Sequence, residues 1–218
     1  MTAIDELIAG IGGHHPLLFA TLIALLLGLR HAADPDHLTA VSGLAARTDP
    51  GRNAVRLGLA WGLGHGVAVI LIGVPIILLS RYLPEPLRVA AEVAVGCVIV
   101  VLGIRLLRAH RHPASAERSP AGALGIGLLH GTAGSAGATV LLLTGVADPM
   151  LALVALTVFV VGTAVSMAAC SAGIGLIAAR GGRRFGSRRV VTPLGVASIL
   201  FGAWYVAVAM QALPAFWA

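Results

Sequence analysis

Six long apolar segments follow one another through the 218 residues of this chain, and that succession leaves few folds open. A mostly apolar run of about 18 or more residues can cross a bilayer as a helix, with each backbone N–H and C=O satisfied inside the segment. The segments lie at roughly 16–45, 54–80, 87–109, 121–146, 150–179 and 190–212. Turn-forming residues separate them: Asp49-Pro50-Gly51, Pro84-Glu85-Pro86, His112-Pro113, Ser119-Pro120, Asp148-Pro149 and Gly181-Gly182. Hydrophobic residues make up 58% of the chain and charged residues 11%, and the mean hydropathy is +0.94. No stretch is polar enough to build a soluble domain. The expected fold is all-α: a polytopic membrane helix bundle of about six transmembrane helices, forming a single integral membrane domain over 1–218.

The charge pattern supplies an orientation. All 15 basic residues are arginine, and 12 of them flank alternate connections: Arg47, Arg52 and Arg56; Arg105, Arg108, Arg111 and Arg118; Arg180, Arg183, Arg184, Arg188 and Arg189. Arginine-rich loops stay in the cytoplasm, so both termini are expected outside a multi-pass protein of the inner (plasma) membrane. The basic balance therefore reads as topology and anchorage to anionic lipid, and excludes nucleic acid as a partner. The acidic start Met1-Thr2-Ala3-Ile4-Asp5-Glu6 does not read as a secretory signal, so the first segment is taken as a retained span. Cys97 and Cys170 form no C-x-x-C pair and read as core packing.

A weak repeat runs at an offset of 99 residues. Gly28-Leu29-Arg30-His31 matches Gly127-Leu128-Leu129-His130, and Gly96 and Gly103 match Gly195 and Gly202; Gly62 and Gly162 match at offset 100. Halves of three helices each, about 1–112 and 113–218, must run in opposite directions, which suggests two inverted three-helix repeats.

The chemistry concentrates in Arg30-His31-Ala32-Ala33-Asp34-Pro35-Asp36-His37, inside the first apolar segment. An ionisable group at the bilayer centre costs roughly 2.5–3.5 kcal/mol or more, so five together signal use. His31, His65 and His130 fall near the middle of the first, second and fourth segments, where three helices can share only the bundle interior. Gly58 and Gly62 lie on the face of His65, and Gly127, Gly134 and Gly137 on that of His130, marking close helix approaches. Pro35 lacks an N–H and biases Asp34 away from the helical region, so the helix is expected to unwind or kink around 33–36, freeing carbonyls and turning both carboxylates inward. His31, Asp34, Asp36, His37, His65 and His130 form the candidate metal set. Imidazole nitrogen with carboxylate and no thiolate favours a borderline divalent transition-metal ion: nickel, cobalt, copper, zinc or iron(II), with manganese also open. Because ligating histidines must be deprotonated, affinity should fall as pH drops through about 6–7.

His31-Ala-Ala-Asp-Pro-Asp36-His37 fits H-x-x-x-x-D-H and resembles the signature of the nickel/cobalt transporter superfamily. Gly62-Leu63-Gly64-His65-Gly66 resembles that group's second motif. Leu129-His130-Gly131-Thr132-Ala133-Gly134-Ser135-Ala136 is similar to the fourth-helix motif of a short six-helix branch that resembles urease and hydrogenase accessory permeases. The resemblance implies His31, Asp36 and His37 as motif ligands, with His65 in the second motif. Longer members carry eight helices and a different acidic segment near position 130, which this chain lacks.

The expected function is a secondary transporter (permease) for nickel or cobalt, not an enzyme, with the ion itself and the lipid bilayer as partners and a metallochaperone as a further candidate. Any energy must come from an ion gradient, the membrane potential or a separate subunit, since the chain holds no nucleotide-binding motif. The rival readings are a membrane electron-transfer or haem-binding protein, with His65 and His130 as axial pair, and an intramembrane metalloenzyme. Glu92 is expected to pair with Arg88, four residues back, and Arg30 with Asp34. His14, His15, His110 and His112 are read as loop residues.

Overall fold

The computed structural model describes residues 16–45, 51–79, 84–108, 119–132, 146, 148–185 and 187–211. Seven helices and no strand occur among them: α1 (Pro16–His31), α2 (Pro35–Ala45), α3 (Arg52–Leu79), α4 (Glu85–Arg108), α5 (Pro120–His130), α6 (Pro149–Phe185) and α7 (Ser187–Ala209). The all-helical bundle is as expected. Four of these helices are long and apolar enough to cross a membrane, and α1 with α2, bent by 52° at their break, are so only when counted together as one span. The fourth expected span is seen only as α5 and the turn after it; its remainder lies outside the described residues.

Local chemistry sets the helix starts. Ser119 caps α5, its Oγ accepting from Gly122 N at 3.1 Å, with Pro120 at the first helical position. Asp148 caps α6 before Pro149 in the same way, Oδ1 accepting from Met150 N at 2.9 Å. At the start of α4, Arg88 binds Glu85 and also Glu92, as the spacing suggested.

The Gly181-Gly182 break is not a break. α6 runs through it to Phe185, and α7 begins at Ser187, so the arginine-rich loop expected from Arg180 to Arg189 is mostly helix. A glycine costs a helix only about 1 kcal/mol, and arginines in the last turn favour the negative end of the macrodipole. At ~1.5 Å per residue α6 is about 55 Å long and outreaches a hydrocarbon core of about 30 Å, leaving its arginine end beyond the apolar layer.

Helices α1, α6, α3 and α5 form a row, each packed on the next, with the α4–α7 pair behind it and α2 inserted among α4, α6 and α7. Glycines set these approaches. Cβ atoms at Gly58 and Gly62 would stand 2.7 Å from the Cα atoms of Ala168 and Ala164 on α6, and one at Gly64 would strike the Leu124 carbonyl of α5. Behind the row, Gly96 opposes Gly202 and Gly103 opposes Gly195, so α4 and α7 run antiparallel. Polar cross-links supplement the packing: Ser171 Oγ donates to the Ala54 carbonyl at 2.8 Å and Ser166 Oγ to the Leu29 carbonyl at 2.7 Å. The outward face of α3 is apolar (Val55, Leu59, Leu63, Val67, Leu71), while its inward face carries small residues, Trp61 and His65. That is the pattern of a helix whose surroundings are lipid on one side and protein on the other. Cys170 packs against the core, but Cys97 is exposed rather than buried as expected.

Candidate metal centre

Two helices stop in the interior of the bundle, each on a buried histidine. α1 ends at His31, and Ala32–Asp34 form a turn in which Ala33 N donates to the Arg30 carbonyl at 2.8 Å and Asp34 N to the His31 carbonyl at 3.1 Å. Pro35 then opens α2 at its first helical position, where its missing N–H is no loss. α5 ends at His130, where Gly131 N closes the last turn on the Gly127 carbonyl at 2.9 Å. His130 was expected inside a continuous span; instead it ends a helix, as His31 does.

The breaks place side chains together. His31, His37, His65 and His130 are all 2% exposed or less, and Asp36 is 6% exposed. The imidazole of His37 stands at the centre, its ring centroid 4.5 Å from that of His31, 5.1 Å from that of His65 and 4.6 Å from that of His130. Asp36 joins the two breaks: His37 Nδ1–H donates to its Oδ1 at 3.1 Å and His130 Nε2–H to its Oδ2 at 3.3 Å. On the other side, His31 Nδ1–H donates to Asp34 Oδ2 at 3.1 Å, and His31 Nε2 lies 3.2 Å from His65 Nε2. With His31 donating from Nδ1, its Nε2 is the acceptor of that pair; these tautomers are assigned from the bonding pattern.

The arrangement leaves ligand atoms unused. His37 Nε2, His65 Nδ1 and His130 Nδ1 are buried without a hydrogen-bond partner. A buried polar atom left unsatisfied costs about 1–3 kcal/mol, and three neutral imidazoles in that condition present three lone pairs in one small volume. Two groups have ligand atoms all within 4.8 Å of one another: His31, His37 and His65; and Asp36, His37 and His130. Such sets suit a borderline divalent cation better than a hard one, which prefers oxygen throughout.

Five of the six expected site residues therefore meet. Asp34 stands apart from both groups. Its carboxylate, 12% exposed, holds His31 on one side and Arg30 at 3.6 Å on the other, and the Arg30 side chain is 75% exposed. The expectation that both carboxylates turn inward is corrected: Asp36 does so, whereas Asp34 orients a histidine from its far side. Three carbonyls at the break that the kink was expected to free are taken. Those of Arg30 and His31 are taken by the turn and that of Leu29 by Ser166 Oγ.

Two wall residues were missed. Trp61, 1% exposed, has its ring centroid 5.6 Å from His37 and 5.7 Å from His130, and Phe159, fully buried, lies 5.2 Å from His31. Trp61 lies four residues before His65, one turn away on the same face, which was a readable signal; Phe159 on α6 carried none. His14, His15, His110 and His112 lie outside the described residues.

Residues 17–103 match the family model described as NicO, high-affinity nickel-transport protein. The chain is similar to the urease accessory protein UreH of Bacillus sp. (strain TB-90), at 28% identity over 177 residues, covering 73% of this chain and 78% of that one. It is also similar to the high-affinity nickel transport protein of Cupriavidus necator, at 40% identity over 94 residues, or 42% of this chain and 26% of that one. The chain thus spans about a quarter of the length of the second relative. No solved structure matches. The matched region holds His31, Asp36, His37 and His65 but not His130, and the resemblance carried by the motifs is borne out.

Proposed function

We propose that this relative of nickel-transport proteins is itself a permease that moves a divalent transition-metal ion, nickel or cobalt, across the inner membrane. The observation that supports it most is the convergence of four buried imidazoles and one carboxylate, three ring nitrogens unpartnered, where two helices break inside an apolar bundle. His31, Asp36, His37, His65 and His130 hold the ion in this reading, and Asp34 keeps the His31 ring in place. Trp61 Nε1–H, buried and unpartnered, is a donor only and is no ligand for the ion.

Alternating access follows from the packing. Shifting each residue by about one repeat of 99 turns the Gly96–Gly202 approach into Gly195–Gly103, and turns Gly28 against Phe159 of α6 into Gly127 against the neighbourhood of Trp61 of α3. Equivalent helices that meet antiparallel imply a two-fold axis lying in the membrane, the arrangement in which one half can rock against the other. The arginine pattern supports an orientation with both termini outside. Of the rival readings, b-haem fits poorly, because His37 is in ring contact with both His65 and His130, where the macrocycle would need a slot.

Purified protein in liposomes should accumulate nickel or cobalt faster than zinc or manganese, and His37→Ala should abolish that uptake. Normal uptake by the variant would end this reading.

A further inference from the structure

Resting on the permease reading, we infer that the ion site is two stations sharing His37, occupied by one ion in turn. The two ligand groups are different in kind. His31, His37 and His65 are three neutral imidazoles supplied by the break after α1 and by α3; Asp36, His37 and His130 add a carboxylate and draw on α5. His37 is the one residue common to both. Its Nδ1–H donates to Asp36 at 3.1 Å while Nε2 is buried with no partner, so the neutral ring has one lone pair, at Nε2, to offer one ion at a time. An ion passing from one station to the other stays beside the His37 ring throughout and is never stripped bare in the apolar layer.

Charge decides between one ion and two. Asp36 is the one carboxylate in the two groups, so two divalent cations bound together would set four positive charges against one negative charge in a low-dielectric interior. Two empty neighbouring stations with a single occupant favour exchange, since an ion held by every ligand at once would bind too well to leave. The stations also divide between the halves of the bundle. The first takes all its ligands from residues 31–65, and the second is completed by His130 alone from the later half, so relative movement of α5 opens the second station and leaves the first intact.

The test is cobalt(II) binding by the full chain in lipid nanodiscs, read by elemental analysis and by the visible spectrum, beside cobalt uptake in liposomes. The unsubstituted chain should bind one cobalt. His65→Ala and His130→Ala should each still bind one, weakened roughly 10–100-fold, with spectra that differ from each other, and neither should transport. His65→Leu and His130→Leu, which keep the bulk, repeat the comparison if an alanine variant fails to fold. His37→Ala should bind none. Two cobalt ions in the unsubstituted chain would overturn the inference, as would loss of all binding in both the His65 and His130 variants, which marks one undivided site. No cobalt or nickel bound by the unsubstituted chain is a different failure, that of the permease reading itself.

Discussion

The ends of α1 and α5 are built alike and loaded differently. Each helix stops on a buried histidine, and each carries a glycine three residues earlier whose absent Cβ lets it lie on a neighbour's carbonyl, Gly28 on Phe159 and Gly127 on Trp61. Beyond the histidine they diverge. After His31 come a turn, Asp34, a proline that starts a new helix, and then Asp36 and His37; after His130 the described chain offers Gly131 and Thr132. The shared part is a device for stopping a helix in the apolar interior and presenting an imidazole there. The chemistry sits on one side, and Asp36 is the link by which the poorer end is drawn into it.

The sharpest way to break this comparison is to remove that link. Asp36→Asn removes the negative charge that His37 and His130 both lean on. Ion affinity should fall at least roughly 100-fold and uptake should vanish, because a ligand, a charge and the orientation of two rings go together. Retained uptake would show that the two ends work independently.

Next come the glycines. A Cβ at Gly28 or Gly127 meets backbone rather than a movable side chain. Gly28→Ala and Gly127→Ala should each cost about 1–3 kcal/mol, seen as a lower unfolding temperature in detergent. Gly125→Ala, on α5 with open space at its Cβ position, should be neutral or slightly stabilising. Equal losses at 28 and 127 sharpen the likeness; a loss at one alone would confine the device to that end.

Much of this was legible beforehand, for reasons that are local. The break at Asp34-Pro35 follows from proline chemistry within a few residues. The inward face of His65 follows from glycines at helical spacing, and the paired Arg88 and Glu92 from a separation of four. What could not be read depends on neighbours distant in sequence. No proline follows His130, and its helix stops where α3 crowds Gly127 and Gly131. Asp34 and Asp36 are two residues apart and look equivalent, yet one faces the cluster and the other faces Arg30 and the back of His31. α6 also passes through Gly181-Gly182, with Gly181 beside Val190 of the next helix, where composition pointed the other way.

Asp34→Asn tests the difference between those two carboxylates. The amide still accepts from His31 Nδ1–H, more weakly than a carboxylate does, and no longer forms an ion pair with Arg30. Affinity should drop roughly tenfold, well short of the effect at Asp36, with uptake slowed and measurable. An effect as large as that at Asp36 would make Asp34 a direct ligand.

The smallest expected effect is at Ser166. Its hydroxyl is the partner that the Leu29 carbonyl finds once α1 stops, and it comes from α6 rather than from the break itself. Ser166→Ala leaves that carbonyl without this bond, and interhelical hydrogen bonds inside membranes are worth about 0.6 kcal/mol on average. Unfolding temperature should therefore fall only slightly, and cobalt binding should be unchanged, since no ligand is touched. The corresponding end of α5 closes on its own turn through Gly131 and borrows no hydroxyl for that bond. A large loss at Ser166 would mean that the richer break is held open chiefly from outside, by α6, and that the likeness between the two ends stops at their glycines.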